Sequence, residues 1–287
     1  PFPDWETLPY DQFSPHPEII SQRLAALNRL PTLARGIVVV PVQTLLQRLA
    51  PVAHIAGNSF DLKLGQRLDM DAEKRRLEAA GYRHVPQVMD PGDFAVRGGL
   101  LDVFPMGVDA PLRIELLDDE IDTIRLFDPE SQRSQDPVKQ VRLLPGREVP
   151  SDDAALSRAM DALRERFDVD TRRSPLYQDL KAHTLPAGIE YYLPLCYRDT
   201  ANLLDYLPGN VMSVVAPGTV EAADAFWEQT GQRYEQRRHD VERPLLPPAE
   251  IYLPPDQLRE RLNTLPRIEV CPPGHLRHEQ AHALGDI

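Results

Sequence analysis

Phe94-Ala95-Val96-Arg97-Gly98-Gly99-Leu100-Leu101-Asp102-Val103-Phe104-Pro105 and, a few residues on, Leu112-Arg113-Ile114-Glu115-Leu116-Leu117 decide how the chain folds. Apolar runs on either side of a Gly-Gly pair predict two strands joined by a tight turn, and a third strand follows. The reading extends in both directions. Downstream, Ile121 to Phe127 and Val141 to Leu144 are further strands. Upstream, Phe60, Leu62 and Leu64 alternate with polar residues, and Asp69 can cap a helix that carries Leu77 and closes at Gly81. Residues 59–145 therefore read as an α+β domain with a mostly antiparallel sheet and one helix.

The flanks have a different period. In residues 1–58, Ser14 can cap a helix with Pro15 in its first turn, and Ile19, Ile20, Leu24, Leu27 and Leu30 recur at helical spacing. The unbroken apolar run Gly36-Ile37-Val38-Val39-Val40-Pro41 predicts a buried strand, and a second helix follows. In residues 146–243, Ser151 can cap a helix bearing Leu156, Met160, Leu163 and Phe167, and Ser174-Pro175 opens another. Val211 to Val215 is again a buried-strand run, with a long helix from Val220 toward Asp240. Helix, buried strand, helix on both sides predicts one α/β domain, a parallel sheet with flanking helices, interrupted by the α+β insertion. Eight of the 29 prolines lie between Pro244 and Pro273, so residues 244–287 read as an extended, Pro-rich connector and C-terminal segment.

Composition narrows the function. Forty-four acids against 32 bases give a net charge of −12 over 287 residues, the wrong sign for a surface that tracks phosphates throughout. Two cysteines cannot build a disulfide framework and suit a reducing cytoplasm. No apolar run has the length of a membrane span, and a start at Pro1-Phe2-Pro3, without initiator Met or leader, predicts a soluble piece of a longer chain. Neither G-x-x-x-x-G-K-[ST] nor G-x-G-x-x-G occurs, so there is no sequence for a phosphate-cradling loop. Cys271, His275, His278 and His282 have spacings that zinc could use, but one cysteine without a CxxC partner reads as exposed side chains rather than a metal site. The acidic run Glu115, Asp118, Asp119, Glu120 and Asp122 reads as a solvated edge. Arg233, Arg237 and Arg238 share a helix with Glu228 and Glu235 and read as a solvated face. Neither cysteine has a base or orienting partner for nucleophilic catalysis, so no catalytic residue is assigned.

Alternation also marks a docking surface. If Leu112, Ile114 and Leu116 face the core, then Arg113, Glu115 and Leu117 face away, and Arg97 faces away from Phe94 and Val96. Two arginines and an exposed leucine side by side are what protein interfaces concentrate. The bland alternative is a set of surface ion pairs with Glu115, Asp118 or Asp119.

The ordered string Gly65-Gln66-Arg67-Leu68-Asp69, Ala80-Gly81-Tyr82, the two stretches quoted first, Gly188-Ile189-Glu190-Tyr191-Tyr192 and Leu203-Leu204-Asp205-Tyr206-Leu207-Pro208 resembles the excision-repair protein UvrB. With Asp4-Trp5-Glu6-Thr7-Leu8-Pro9-Tyr10-Asp11, the likeness is to the N-terminal, UvrB-like module of bacterial transcription-repair coupling factors. The resemblance implies a degenerate UvrB/helicase-like fold whose inserted domain, residues 59–145, binds UvrA through Arg97 and Arg113. Leu117 stands where the family often has an aromatic residue. Where UvrB carries Walker B carboxylates, this chain has Ala216 and Pro217, which implies lost ATPase function and no cofactor or metal. The implied parent is an ATP-dependent DNA translocase that meets RNA polymerase and DNA through downstream domains and recruits UvrA to stalled polymerase in nucleotide excision repair, in the cytoplasm and away from any membrane. The rival reading is an active NTP-dependent, helicase-like DNA-processing enzyme truncated before its phosphate loop.

Overall fold

Pro17 fixes φ at the first position of helix α1 (Pro17–Arg29), where the Glu18 N–H donates to the His16 imidazole in the computed structural model, which describes residues 1–167 and 170–270. Ser14 does not cap this helix. Its hydroxyl donates to Glu190 Oε2 at 2.8 Å and accepts from Gly188 N–H, because the chain turns inward there. Leu24 and Leu27 of α1 are fully buried, as their spacing predicts. Two short helices follow, α2 (Val42–Leu45) and α3 (Val52–Gly57).

The run Gly36 to Pro41 forms no strand. Ile37 is 91% exposed and Val39 65%, and the main-chain bond joining the run to a distant segment is from Phe2 N–H to the Val39 carbonyl. Apolar sequence provides a strand's side chains but not its neighbour, and no strand lies beside this one among the described residues.

The middle of the chain forms β1 (Phe60–Lys63), α4 (Met70–Ala79), β2 (Arg83–His84), β3 (Asp93–Arg97), β4 (Leu100–Val103), β5 (Leu112–Leu117), β6 (Glu120–Phe127), β7 (Ser134–Pro137) and β8 (Gln140–Leu143). Asp69 caps α4 as expected, its carboxylate accepting from Ala72 N–H at 2.9 Å. Strands β2 to β7 form one sheet in sequence order, antiparallel except for the β2–β3 pair, while β1 pairs with β8 apart from it. Leu62, Leu77, Phe94, Leu101, Val103, Leu112, Ile114 and Ile124 make a separate core under one sheet face.

The rest returns to helices: α5 (Asp153–Arg166), α6 (Pro175–Lys181), α7 (Leu193–Cys196), then β9 (Ser213–Val215), α8 (Thr219–Arg237), α9 (Pro248–Ile251), α10 (Pro255–Asn263) and β10 (Arg267–Glu269). Ser174 caps α6 as its sequence suggests, but Asp152 caps α5 in place of Ser151, whose hydroxyl donates to the Ala79 carbonyl. Strands β9 and β10 pair in parallel. The whole is a mixed α/β fold with a mainly antiparallel multi-strand sheet.

Residues 244–270 are not an extended connector. Leu246, Ile251, Tyr252, Leu253 and Leu258 are all buried in the larger core with α1, α5 and α6, and the prolines begin helices α9 and α10 instead of spacing out a linker. Cys271 and the histidines His275, His278 and His282 lie outside the described residues. Arg23 of α1 ties the start of the chain to the stretch that follows the insertion, and it is inaccessible to solvent. It donates to both oxygens of Glu148 (2.6 and 3.3 Å) and to the Pro3 carbonyl, beneath the rings of Phe2 and Trp5.

Candidate functional site

A two-residue turn, Gly98-Gly99, brings β3 back as β4, with Gly98 at φ +62, a region open to glycine at little cost. The register sets Arg97 opposite Leu100 and Asp102 opposite Arg113 on β5. Phe94, Leu101, Leu112 and Ile114 point into the core, so Arg97, Leu100, Asp102 and Arg113 share the other face.

Asp102 is the centre of that face. It is 1% exposed, and both of its oxygens are engaged. Arg113 donates through Nε to Oδ1 at 2.8 Å and through Nη2 to Oδ2 at 2.9 Å, while Arg97 donates through Nη2 to the same Oδ2 at 2.6 Å. Arg113 Nη1 also donates to the Gln132 carbonyl at 3.1 Å, and its guanidinium lies 4.8 Å from the centre of the Phe127 ring. Gln132 is itself held at φ +58, with its side-chain amide donating to the Pro129 carbonyl. The bonds to Asp102 hold the Arg113 pKa above its already high value.

The two arginines are close but unequal. The Arg97 side chain is 53% exposed and that of Arg113 only 15%. Together with Pro86, Gln87, Leu100 and Gln132 they line an open depression of about 460 Å³. Two guanidinium groups against one carboxylate leave a net positive charge and spare N–H donors, an arrangement that accepts a carboxylate from outside. Leu117 is 68% exposed but is not their apolar neighbour. It stands four residues from Arg113 along β5, roughly 13 Å at the rise of a strand, with Glu115 between them. The apolar residues beside the arginines are Leu100, on the depression, and the buried Phe127 under Arg113.

Leu100, Asp102, Gln132 and Arg125 escaped the sequence reading. Arg125 is exposed opposite Arg113 on β6, and the alternation of Ile124 and Leu126 could have placed it. Asp102 was hidden because an acid within an apolar strand gives no sign of its partner.

Ala216 and Pro217 follow β9 in an exposed turn. The Ala216 carbonyl accepts from the Thr219 hydroxyl at 2.8 Å, and Gly218, at φ +78, leads into α8. Arg233 and Arg237 depart from the solvated face expected of them: they donate to the Pro9 and Tyr10 carbonyls, and Arg233 also pairs with Asp11, clamping the N-terminal segment onto α8. Arg238 is exposed and pairs with Glu235. Glu115, Asp118, Asp119, Glu120 and Asp122 are all exposed, and among the described residues no group of three or more His, Cys, Asp or Glu side chains is placed to hold a metal ion. Nor is any helix among them long and apolar enough to cross a membrane.

Residues 60–148 match the family described as the UvrB interaction domain, and this stretch includes the whole arginine face. Over 268 residues, 93% of its length, the chain is 45% identical to the transcription-repair-coupling factor of Escherichia coli K12, and 46% identical over 269 residues to that of Haemophilus influenzae. The Bacillus subtilis protein is 30% identical over 215 residues. The chain spans 23% of the length of the first two relatives and 18% of the third. The resemblance read from the quoted strings therefore holds.

Proposed function

We propose, on the premise that residues 60–148 belong to the UvrB interaction domain family, that this chain is the docking module by which a transcription-repair coupling factor recruits UvrA. The observation that carries this reading is the Arg97–Asp102–Arg113 cluster, set on the open face of the sheet inside the matched residues. A buried acid holds two arginines at the edge of a depression, and their free donors suit an acidic group of UvrA. The parent protein is an ATP-dependent DNA translocase that works on RNA polymerase and DNA through other domains, in the cytoplasm, where stalled polymerase marks damage for nucleotide excision repair. The part in hand is a degenerate, helicase-like α/β body that has kept a docking surface and lost ATP hydrolysis. Ala216 and Pro217 support the loss, since neither can ligate Mg²⁺ or orient water.

Calorimetric titration of UvrA into the chain tests the reading. Arg97→Ala is expected to weaken binding by about 2 kcal/mol, the scale of an interface hot spot, while Arg238→Ala changes it little. Unchanged binding by Arg97→Ala removes this face from consideration. The enzymatic alternative is tested by titrating Mg²⁺ and ATP: no isotherm is expected up to millimolar nucleotide, a limit of about −4 kcal/mol, and a saturable micromolar isotherm reverses that conclusion.

A further inference from the structure

We propose that Asp102 is the positioning residue of the arginine face: it fixes Arg97 and Arg113 for an acidic partner, so that the face binds more weakly without Asp102 although its positive charge rises. This rests on the docking reading above and assigns a role that the reading leaves open. Asp102 is too deeply buried to touch a partner itself, at 1% exposure, so whatever it does for binding it does through the arginines. Its two oxygens take three hydrogen bonds, two from Arg113 and one from Arg97, with one oxygen shared between the two side chains. Two guanidinium groups would otherwise repel one another at this spacing. The shared carboxylate removes that repulsion and sets their relative orientation.

Counting donors shows what is left for a partner. Arg113 has five N–H groups and uses three, two on Asp102 and one on the Gln132 carbonyl, leaving one on each terminal nitrogen. Arg97 uses one and keeps four, on a side chain that is 53% exposed. An exposed arginine free in solution loses rotamer freedom when a partner seizes it, and this loss weakens binding. Arg97 held on Asp102 has already been ordered. The Gln132 carbonyl and the Phe127 ring do the same for Arg113 from the opposite side.

The sign of the effect separates positioning from charge. Asp102→Asn adds one positive charge to the face. If the face worked by overall charge alone, UvrA would bind it as well as before or more tightly. Positioning gives the opposite result: in the whole chain, Asp102→Asn is expected to bind UvrA about tenfold more weakly, mostly through faster dissociation. Asp102→Glu, which keeps the charge, is expected to recover most of the affinity. In an Arg97→Ala background the same Asn change is expected to cost about threefold or less, because the more exposed of the two groups it positions has gone and Arg113 keeps its bond to the Gln132 carbonyl. Binding by Asp102→Asn equal to or tighter than the parent overturns the proposal, as does a full tenfold loss that persists in the Arg97→Ala background. The nitrogen-15 spectrum of the unaltered protein gives a test that does not depend on a folded variant. A held Arg97 shows resolved, slowly exchanging Nη2 protons without UvrA, because Nη2 is the nitrogen that donates to Asp102, and averaged, fast-exchanging ones overturn the proposal. If Arg97→Ala itself leaves UvrA binding unchanged, the docking reading fails; if Arg97→Ala weakens binding and Asp102→Asn does not, only the positioning role fails.

Discussion

Asp102 makes the two arginines of the docking face unequal in stability. Alternation alone treats them as twins on one surface, each removable with little effect on folding. Arg113 is mostly covered, and its loss would leave a buried carboxylate with one hydrogen bond in place of three. Arg113→Ala is therefore expected to lower unfolding free energy by about 2 kcal/mol in a urea titration, whereas Arg97→Ala, on a half-exposed partner, changes it by about 0.5 kcal/mol or less. A second residue-scale expectation concerns Glu190, which is buried, accepts from the Ser14 hydroxyl and lies near Arg147. Burial raises its pKa above the ordinary 4.5, outweighing the bonds and the arginine that act the other way. The folded state thus takes up this proton at a higher pH than the unfolded chain does, so its contribution is largest below about 4.5 and is lost as pH rises through the folded value. Measured against Glu190→Gln, which cannot titrate, the parent should gain relative stability as pH falls from neutral toward 4.5. A gap that widens in the other direction contradicts the burial effect.

The β3–β4 hairpin is the element that places the site. Its Gly98-Gly99 turn fixes which residues stand opposite, and a slip of one would turn Arg97 and Asp102 into the core. Nothing lies within 4 Å of the place where a Cβ at Gly98 would stand, so a substitution there meets only backbone strain at φ +62. Gly98→Ala is expected to cost about 1 kcal/mol of stability, and to loosen UvrA binding because Arg97 is the adjoining residue. Unchanged melting temperature would show that the turn tolerates a side chain. Further along, a register shift between Glu115 and Leu116 leaves Arg113 facing Arg125 and moves Leu117 opposite Glu120, at the far end of the strand from the arginines. The strands and their faces were legible from alternation. The bulge was not, because nothing local in Thr123-Asp122-Ile121 distinguishes a paired acid from an extra one.

At the scale of the molecule, the chain that leaves the insertion is fastened to the larger body by a buried ion pair, and Met106 and Leu144 of the insertion pack into the larger core. Glu148 lies a few residues beyond β8, where the chain returns from the smaller core, and Arg23 reaches it from the middle of α1. Gly107 adds a second tie, its N–H donating to the Ser21 hydroxyl at 2.7 Å. Truncating Arg23 leaves Glu148 charged and unpaired away from water. Arg23→Ala is expected to cost about 3–5 kcal/mol in global stability, a much larger effect than any substitution on the docking face. Equilibrium unfolding in urea checks it, and a loss below about 1 kcal/mol would mean that water reaches Glu148 when the arginine is removed.

Everything set by neighbours along the chain was already determined by the sequence: the period of α1 and of strands β3 to β6, the caps at Asp69 and Ser174, the turn at Gly98-Gly99, and the side of the sheet on which Arg97 and Arg113 stand. These depend on backbone geometry and on the nearest few residues, so local composition specifies them. Contacts between distant segments were decided only by the tertiary structure. Gly36 to Pro41 has the side chains of a buried strand and no strand beside it, and the prolines of residues 244–270 start helices because Leu246, Tyr252 and Leu258 find a core to enter. Arg233 grips the Pro9 carbonyl and not solvent. Asp102 and Arg113 meet only because β4 and β5 pair in one register, and a buried charge is stable where a partner from another strand supplies its hydrogen bonds.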